Sequence, residues 1–261
     1  MSSRCSSRSA RAPSSRRRLD NPRPHQGGLR VALTAQQIED LKKITSPSVA
    51  NAIETFKIRP REVGNVSSEI RGLFPELGPL VGYAATCIIR AEQGPIEGHR
   101  ASTYGWWDYV LSIPAPRVIV VHDLDEPRGQ GAQWGEVQAN IHRALGCVGV
   151  VTDGSVRDLD EVRALKFQFA AAHISVSHAN VHMVDFGIPV KVGGVWIKPG
   201  DLVHLDQHGV VTIPEEIGPQ IPAAIAKVEA DEKKIISTCQ ASGFSVDKLK
   251  ELYKQIRPGT Y

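Results

Sequence analysis

The sequence predicts an α/β domain built of layered sheets, on three observations. Helix signals cluster near its start, between Leu33 and Phe56. Apolar, β-branched runs alternate with helical patterns through its middle. Close-set strands parted by Gly and Pro turns follow from Pro189.

In order along the chain, Thr34-Ala35-Gln36-Gln37 is a capping box, and Ile38, Leu41 and Ile44 continue an apolar helical face. Ser46-Pro47 opens a second helix whose Val49, Ile53 and Phe56 face inward. Val81–Ala91, Val118–His122, Val148–Thr152 and Phe167–Ala172 read as strands. A helix from about Gly135 to Leu145 joins the second of these to the third, and a short helix runs from Asp158 to Leu165. Strands Pro189–Val192, Val195–Ile197, Leu202–Leu205 and Val210–Ile213 are separated by Gly193-Gly194, Pro199-Gly200-Asp201 and Gln207-His208-Gly209. A last amphipathic helix spans about Pro219 to Cys239, and its charged cluster Glu229–Lys234 reads as solvated.

Composition narrows the class. A chain of 261 residues, 41% hydrophobic and without an apolar run of membrane-spanning length, reads as a soluble globular protein with a sizeable core. Cys5, Cys87, Cys147 and Cys239 lie far apart, which suggests free thiols in a reducing, cytoplasmic compartment. The net charge is +3, but residues 1–30 hold eight arginines and one acid, so residues 31–261 carry about −4. The basic balance belongs to the tail, which removes the main argument for a nucleic-acid partner. Residues 1–30 read as a disordered Arg/Ser-rich tail ahead of a single domain over 31–261. A targeting peptide or a nucleic-acid-binding arm are the competing readings of that segment.

The candidate site is Val148–Asp158. An apolar strand ends in Asp153-Gly154, and Arg157 and Asp158 follow side by side. The arginine offers a planar fork to a carboxylate and the aspartate a hard oxygen to a divalent cation. A plain surface pair at a helix start is the competing reading. Upstream, the loop through Gly129, Gly131 and Gly135 runs into a helix N-terminus, where open backbone amides could hold an anion. Its glycines are too far from the preceding strand for a dinucleotide fingerprint. His178-x-x-x-His182 and His204-x-x-x-His208 lack the helix and the further ligand that a zinc site needs. Trp106-Trp107-Asp108-Tyr109 reads as core or subunit-contact packing. Neither a Gly-x-Ser-x-Gly elbow nor a P-loop is present.

Trp134-Gly135-Glu136 followed by Gly149–Asp158 resembles the RraA-like proteins. Pro189-Val190, Gly193-Gly194-Val195, Pro199-Gly200-Asp201 and Asp206-x-x-Gly209-Val210-Val211-x-Ile213-Pro214 continue the resemblance, which covers roughly residues 33–240. That family includes class II 4-hydroxy-4-methyl-2-oxoglutarate aldolases and the regulator of ribonuclease E activity. The resemblance implies a swivelling β/β/α fold and a homotrimer or homohexamer with sites between subunits. It also implies cleavage of 4-hydroxy-2-oxo acids to pyruvate, oxaloacetate decarboxylation, and Mg²⁺ or Mn²⁺ as cofactor. By the same resemblance Arg157 would bind the substrate's carboxylate and oxo group, and Asp158 would hold the metal. Gly135, Glu136, Val137 and Gln138 would complete the pyruvyl pocket, with Glu136 on a metal-bound water. Glu232 or Glu229 would reach in from a neighbouring subunit.

That chemistry suits the residues, since a metal and an arginine stabilise the charge of a pyruvate enolate. Metal-bound water can take the hydroxyl proton, so no histidine base is needed. Two segments depart from the family's aldolases: Val137-Gln138 where Leu-Leu is usual, and Gly98–Asp108 with its two tryptophans. Both fall where substrate identity is decided. A non-catalytic regulator of a ribonuclease or other protein is the alternative, weakened by the presence of Asp158.

Overall fold

The computed structural model describes residues 32–96 and 100–256. The chain divides into two units, 1–30 and 31–261, and every described residue belongs to the second. The expected tail over 1–30 lies outside the described residues, as do Gly98 and His99 of the departing segment.

In chain order the second unit contains α1 (Ala35–Leu41), α2 (Ser46–Thr55), β1 (Arg71–Gly72), β2 (Leu80–Arg90), α3 (Thr103–Ser112), β3 (Arg117–Asp123), β4 (Ala132–Trp134), α4 (Glu136–Ala144) and β5 (Cys147–Val156). There follow α5 (Leu159–Ala164), β6 (Gln168–Ile174), β7 (His182–Phe186), β8 (Val190–Val192), β9 (Val195–Ile197), β10 (Leu202–Asp206), β11 (Gly209–Ile213), α6 (Ile221–Gln240) and α7 (Val246–Ile256). The main sheet has the order β1-β6-β5-β3-β2-β10-β11. Its centre, β2-β3-β5-β6, is parallel, while β1, β10 and β11 add antiparallel edges. β8 and β9 form a separate antiparallel hairpin.

Helix starts follow the local chemistry. The Thr34 hydroxyl accepts from the Gln37 N–H at 3.2 Å while the Gln37 side chain accepts from the Thr34 N–H at 2.8 Å, a closed capping box. Thr45 caps α2, whose Val49 and Ile53 are buried. His204 then fastens the α1–α2 corner to the sheet. Its Nδ1 is 2.9 Å from the Ser46 hydroxyl, and its Nε2 donates to the Leu41 and Ile44 carbonyls at 3.2 and 3.0 Å. Burial pushes its pKa below the usual imidazole value. His204 is therefore a core fastener.

The sheet is buried on both faces, which is why its central strands are apolar throughout. Ile119 and Val121 of β3 join the cluster beneath the helices with Trp134, Phe167 and Phe169. Val118 and Val120 join the opposite cluster with Val151, Val190, Ile197 and Leu205. The period of two along β3 thus divides one strand between two cores.

Three expectations need correcting. Asp153-Gly154 does not end the strand: β5 runs through it to Val156. Up to Thr152, β5 pairs with β3, and beyond a bulge Ser155 and Val156 pair with β4 instead. The apparent turn signal marks a change of partner. α3, which was read only as an aromatic cluster, is a helix capped by the Ser102 hydroxyl, which accepts from the Gly105 N–H at 3.1 Å. β7 and α7 were not expected at all.

Candidate functional site

The change of partner along β5 builds the site. Because β4 replaces β3 beside Ser155 and Val156, the next residues, Arg157 and Asp158, emerge against the turn that joins β4 to α4. The Arg157 N–H donates to the Trp134 carbonyl at 2.9 Å, locking the two segments together. Asp158 takes the left-handed conformation, φ 53° and ψ 48°, as the residue before α5. A short polar side chain tolerates that region better than most. The conformation turns its carboxylate back toward α4, where Oδ2 accepts from the Glu136 N–H at 2.9 Å. Arg157 Nε lies 3.6 Å from the same oxygen, and both side chains keep 35% exposure.

Gly135 makes this approach possible. Its backbone is extended, φ −150°, so conformation does not demand glycine; space does. A Cβ there would overlap the Asp158 carboxylate and meet Arg157 Cγ at 3.0 Å. Gly135 itself offers no side chain to cap α4, and the Asp158 carboxylate takes only the Glu136 amide. The first-turn amides of Val137 and Gln138 have no partner within the helix, and the helix start carries partial positive charge.

A cleft of about 270 Å³ opens beside this pair, lined by Gly135, Val137, Gln138, Arg157 and Asp158. That volume suits a small acid rather than a nucleotide. Its opposite wall comes from Arg100, Trp106 and Trp107, together with His178, His182 and Met183. Trp106 is both core and wall: it is 2% exposed, and its indole N–H donates to His142 Nε2 at 2.7 Å. His142 Nδ1 lies 2.8 Å from the Gln138 carbonyl, so it carries the ring's proton. Burial lowers the pKa of His142 to about 4, so the ring is neutral at ordinary pH. The imidazole thus ties α3 to the first turn of α4.

The structure brings Gly135, Val137, Gln138, Arg157 and Asp158 together, whereas Glu136 contributes its amide to Asp158 and its exposed side chain does not line the cleft. Glu229 is exposed and Glu232 half-buried on α6, and neither lines the cleft of its own chain. Among the described residues no three His, Cys, Asp or Glu side chains gather as a metal cage.

The expected glycine cradle reduces to its last member. Gly129 donates its N–H to Asp123 Oδ2 at 2.8 Å, and Gly131 packs on the His178 carbonyl and Ala91. Asp153 is likewise drawn away from the cleft. Its carboxylate accepts from the Asp123 N–H at 2.8 Å, lies 2.8 Å from His122 Nδ1, and sits 3.4 Å from Arg128 Nε. Burial pushes the neighbouring Asp123 carboxyl above its usual range. The tryptophans and the His178/His182 pair belong to the site as well. Their signal was their proximity in a chain segment, not any ligand spacing.

The model of the RraA-like family, described as Aldolase/RraA, matches residues 46–212. The chain belongs to this family. Among relatives, the RraA-like chain is 30% identical to MJ0644 of Methanocaldococcus jannaschii over 48% of its own length and 61% of that protein. It is 26% identical to DlpA of Legionella pneumophila over 91% of its length and 37% of that protein. A Halalkalibacterium halodurans protein provisionally named 4-hydroxy-4-methyl-2-oxoglutarate aldolase is 30% identical over 38% of the chain and 48% of that protein. The chain thus matches between about a third and three fifths of the length of these curated relatives. A solved structure from Pseudomonas syringae pv. tomato superposes with a TM-score of 0.67, at 22% identity over 89% of the RraA-like chain and 100% of the other. Streptomyces coelicolor RraAS2, described as an unusual member of the RNase ES inhibitor RraA family, superposes with 0.61 at 21% identity over 77% and 96%. Both establish the RraA-like fold expected from the sequence. Among the described residues no helix is long and apolar enough to cross a membrane.

Proposed function

We propose that the chain is a divalent-metal-dependent lyase that cleaves 4-hydroxy-2-oxo acids, of the 4-hydroxy-4-methyl-2-oxoglutarate type, to pyruvate, and that also decarboxylates oxaloacetate. The observation that carries this reading is the convergence of Arg157, Asp158 and the Gly135 turn on one small cleft. The provisional aldolase names of several relatives point the same way.

The donor set fits Mg²⁺ or Mn²⁺. Asp158 Oδ2 is engaged by the Glu136 amide, and its side chain keeps 35% exposure at the cleft, so Oδ1 is the oxygen left for a cation. A hard cation held by one carboxylate keeps most of its waters, which suits a site without a cage of ligands. Bound there, the metal would supply Lewis-acid stabilisation of the charge that develops on the oxo acid.

The chain's own groups do the rest. Arg157 would hold the carboxylate and 2-oxo oxygen through its fork, and the amides of Val137 and Gln138 would orient that end of the acid. Trp106 and Trp107 would exclude water from one side, which strengthens each of these electrostatic contacts. Glu136 would hydrogen-bond a water near Asp158, and Glu229 or Glu232 would approach from a neighbouring chain. Val137, 68% exposed at the mouth, and Tyr104, 74% exposed on the helix of Trp107, are apolar surfaces that a second copy would cover in a homotrimer or homohexamer.

The test is pyruvate release from a panel of 4-hydroxy-2-oxo acids and oxaloacetate with Mg²⁺, with Mn²⁺ and with a chelator. The reading expects metal-dependent release from at least one acid, lost in Arg157→Ala. Equal rates with and without chelator, or full activity in that variant, would overturn it.

A further inference from the structure

The cleft holds a histidine with its tautomer fixed and its second nitrogen unclaimed. His182 opens β7 opposite Arg90 of β2, lines the cleft, and is only 7% exposed. Its Nδ1 lies 3.0 Å from the Asn180 carbonyl, which can only accept, so Nδ1 carries the proton in the neutral ring. The lone pair is then on Nε2. No hydrogen-bond partner for Nε2 is found among the described residues, and Nε2 is not among their sealed, unpartnered polar atoms. The nearly buried His182 thus forms part of the cleft wall. A fixed Nδ1–H···O=C bond behind an unclaimed Nε2 is the arrangement that prepares an imidazole for proton transfer. His178 also borders the cleft, and its Nδ1 lies 2.8 Å from the Ala179 carbonyl, but it is exposed in a loop, whereas His182 is buried at the start of a paired strand.

We propose that His182 Nε2 is the proton carrier for carbon–carbon cleavage in this cleft, an inference that rests on the lyase reading above and names a catalytic residue within it. Nε2 takes the proton of the C4 hydroxyl as the C3–C4 bond breaks. The C4–O bond becomes a carbonyl, and the C3–C4 pair moves into the pyruvate enolate. The protonated Nε2 then gives that same proton to C3, forming the methyl group of pyruvate. Nothing is gained or lost, and no co-reactant is required. A histidine therefore stands where the sequence alone called for none.

The two reactions of the proposed enzyme separate this role from a structural one. Cleavage of a 4-hydroxy-2-oxo acid needs a base during bond breaking, whereas loss of CO₂ from oxaloacetate does not. His182→Gln in the full chain with Mg²⁺ should lower kcat for cleavage of 4-hydroxy-4-methyl-2-oxoglutarate by about 10²- to 10⁴-fold, with KM changed only a few-fold. Oxaloacetate decarboxylation should fall less than about 10-fold on the same grounds, because its bond-breaking step uses no base. His182→Asn can still donate to the Asn180 carbonyl but places nothing at Nε2. It should be as poor in cleavage as the Gln variant while keeping the wild-type Tm. Equal loss in both reactions, cleavage restored by Asn, or cleavage unaffected in either variant would overturn the role of His182 alone. A wild-type chain that releases pyruvate from neither acid would overturn the lyase reading, and this inference with it.

Discussion

Adding one methyl group at Gly135 should disable the site while leaving the fold in place. The Gly135 backbone is extended, so alanine can adopt it without strain. Its Cβ, however, would overlap the Asp158 carboxylate and crowd Arg157 Cγ at 3.0 Å. Ordinary contact requires the oxygen to retreat by roughly 1 Å, a displacement that can cost about 10²-fold in rate. That corresponds to about 2.7 kcal/mol in the barrier. The retreat also weakens the 2.9 Å bond from the Glu136 N–H to Asp158. Such a bond to a charged group contributes about 1.5–3 kcal/mol when buried, and about 1 kcal/mol here because the carboxylate is a third exposed. The loss of Tm should therefore stay within a few degrees. The assay is kcat/KM for pyruvate release beside thermal unfolding, with Gly94→Ala as control because a Cβ there meets nothing within 4 Å. Wild-type kcat/KM in Gly135→Ala, with Asp158 in its original place, would refute the argument that this glycine exists to admit the Arg157–Asp158 pair.

Other outcomes follow from the same geometry. Asp158→Asn keeps a residue that tolerates the left-handed backbone and an oxygen for the Glu136 amide, but removes the charge; it should retain its Tm and lose metal-dependent activity by at least about 10²-fold. Trp106→Phe leaves His142 Nε2 a buried acceptor without its donor, and should cost about 1–3 kcal/mol in urea unfolding. His142 makes stability pH-dependent. Its folded pKa, about 4, lies below the unfolded value, so the unfolded chain binds the extra proton between about pH 6.5 and pH 4. Its stabilising contribution is whole above that window and is lost as pH falls through it, by about 2 kcal/mol between pH 7 and pH 5. Urea titrations at those two pH values should show that part of the loss in wild type and not in His142→Gln.

The sequence made one side of the cleft legible and hid the other. Arg157-Asp158 and Gly135 could be read because each sits where an apolar run meets a helix start, and such boundaries depend on local chemistry. The capping box of α1 and the alternation along β3 were legible for the same reason. The far wall was not. Arg100 and Trp107 stand on or beside α3, and His182 opens β7; these segments are distant from the first wall in sequence and meet it only in the folded chain. The helical spacing of Trp106 and Val110 could have revealed α3, with Ser102 as its cap. Nothing in the sequence around His182 could show that the Asn180 carbonyl would orient the ring.

Asp153-Gly154 shows how a correct local signal can support a wrong structural conclusion. The pair favours a turn when its polar groups face water. Here Asp153 is buried, and the Asp123 N–H and His122 occupy its two oxygens. With its polar groups satisfied inside the protein, the strand has no reason to stop. It bulges, with the Gly154 N–H donating to Thr152 Oγ1 at 2.9 Å, and changes neighbour from β3 to β4. Had β5 ended there, Arg157 and Asp158 would lie in a loop with no fixed relation to the Gly135 turn. Because it continues for two paired residues, the Arg157 amide is fastened to the Trp134 carbonyl and the side chains converge on one cleft. The aspartate that looked like a site residue thus acts one step earlier, holding together the bulge that aims the arginine and the carboxylate.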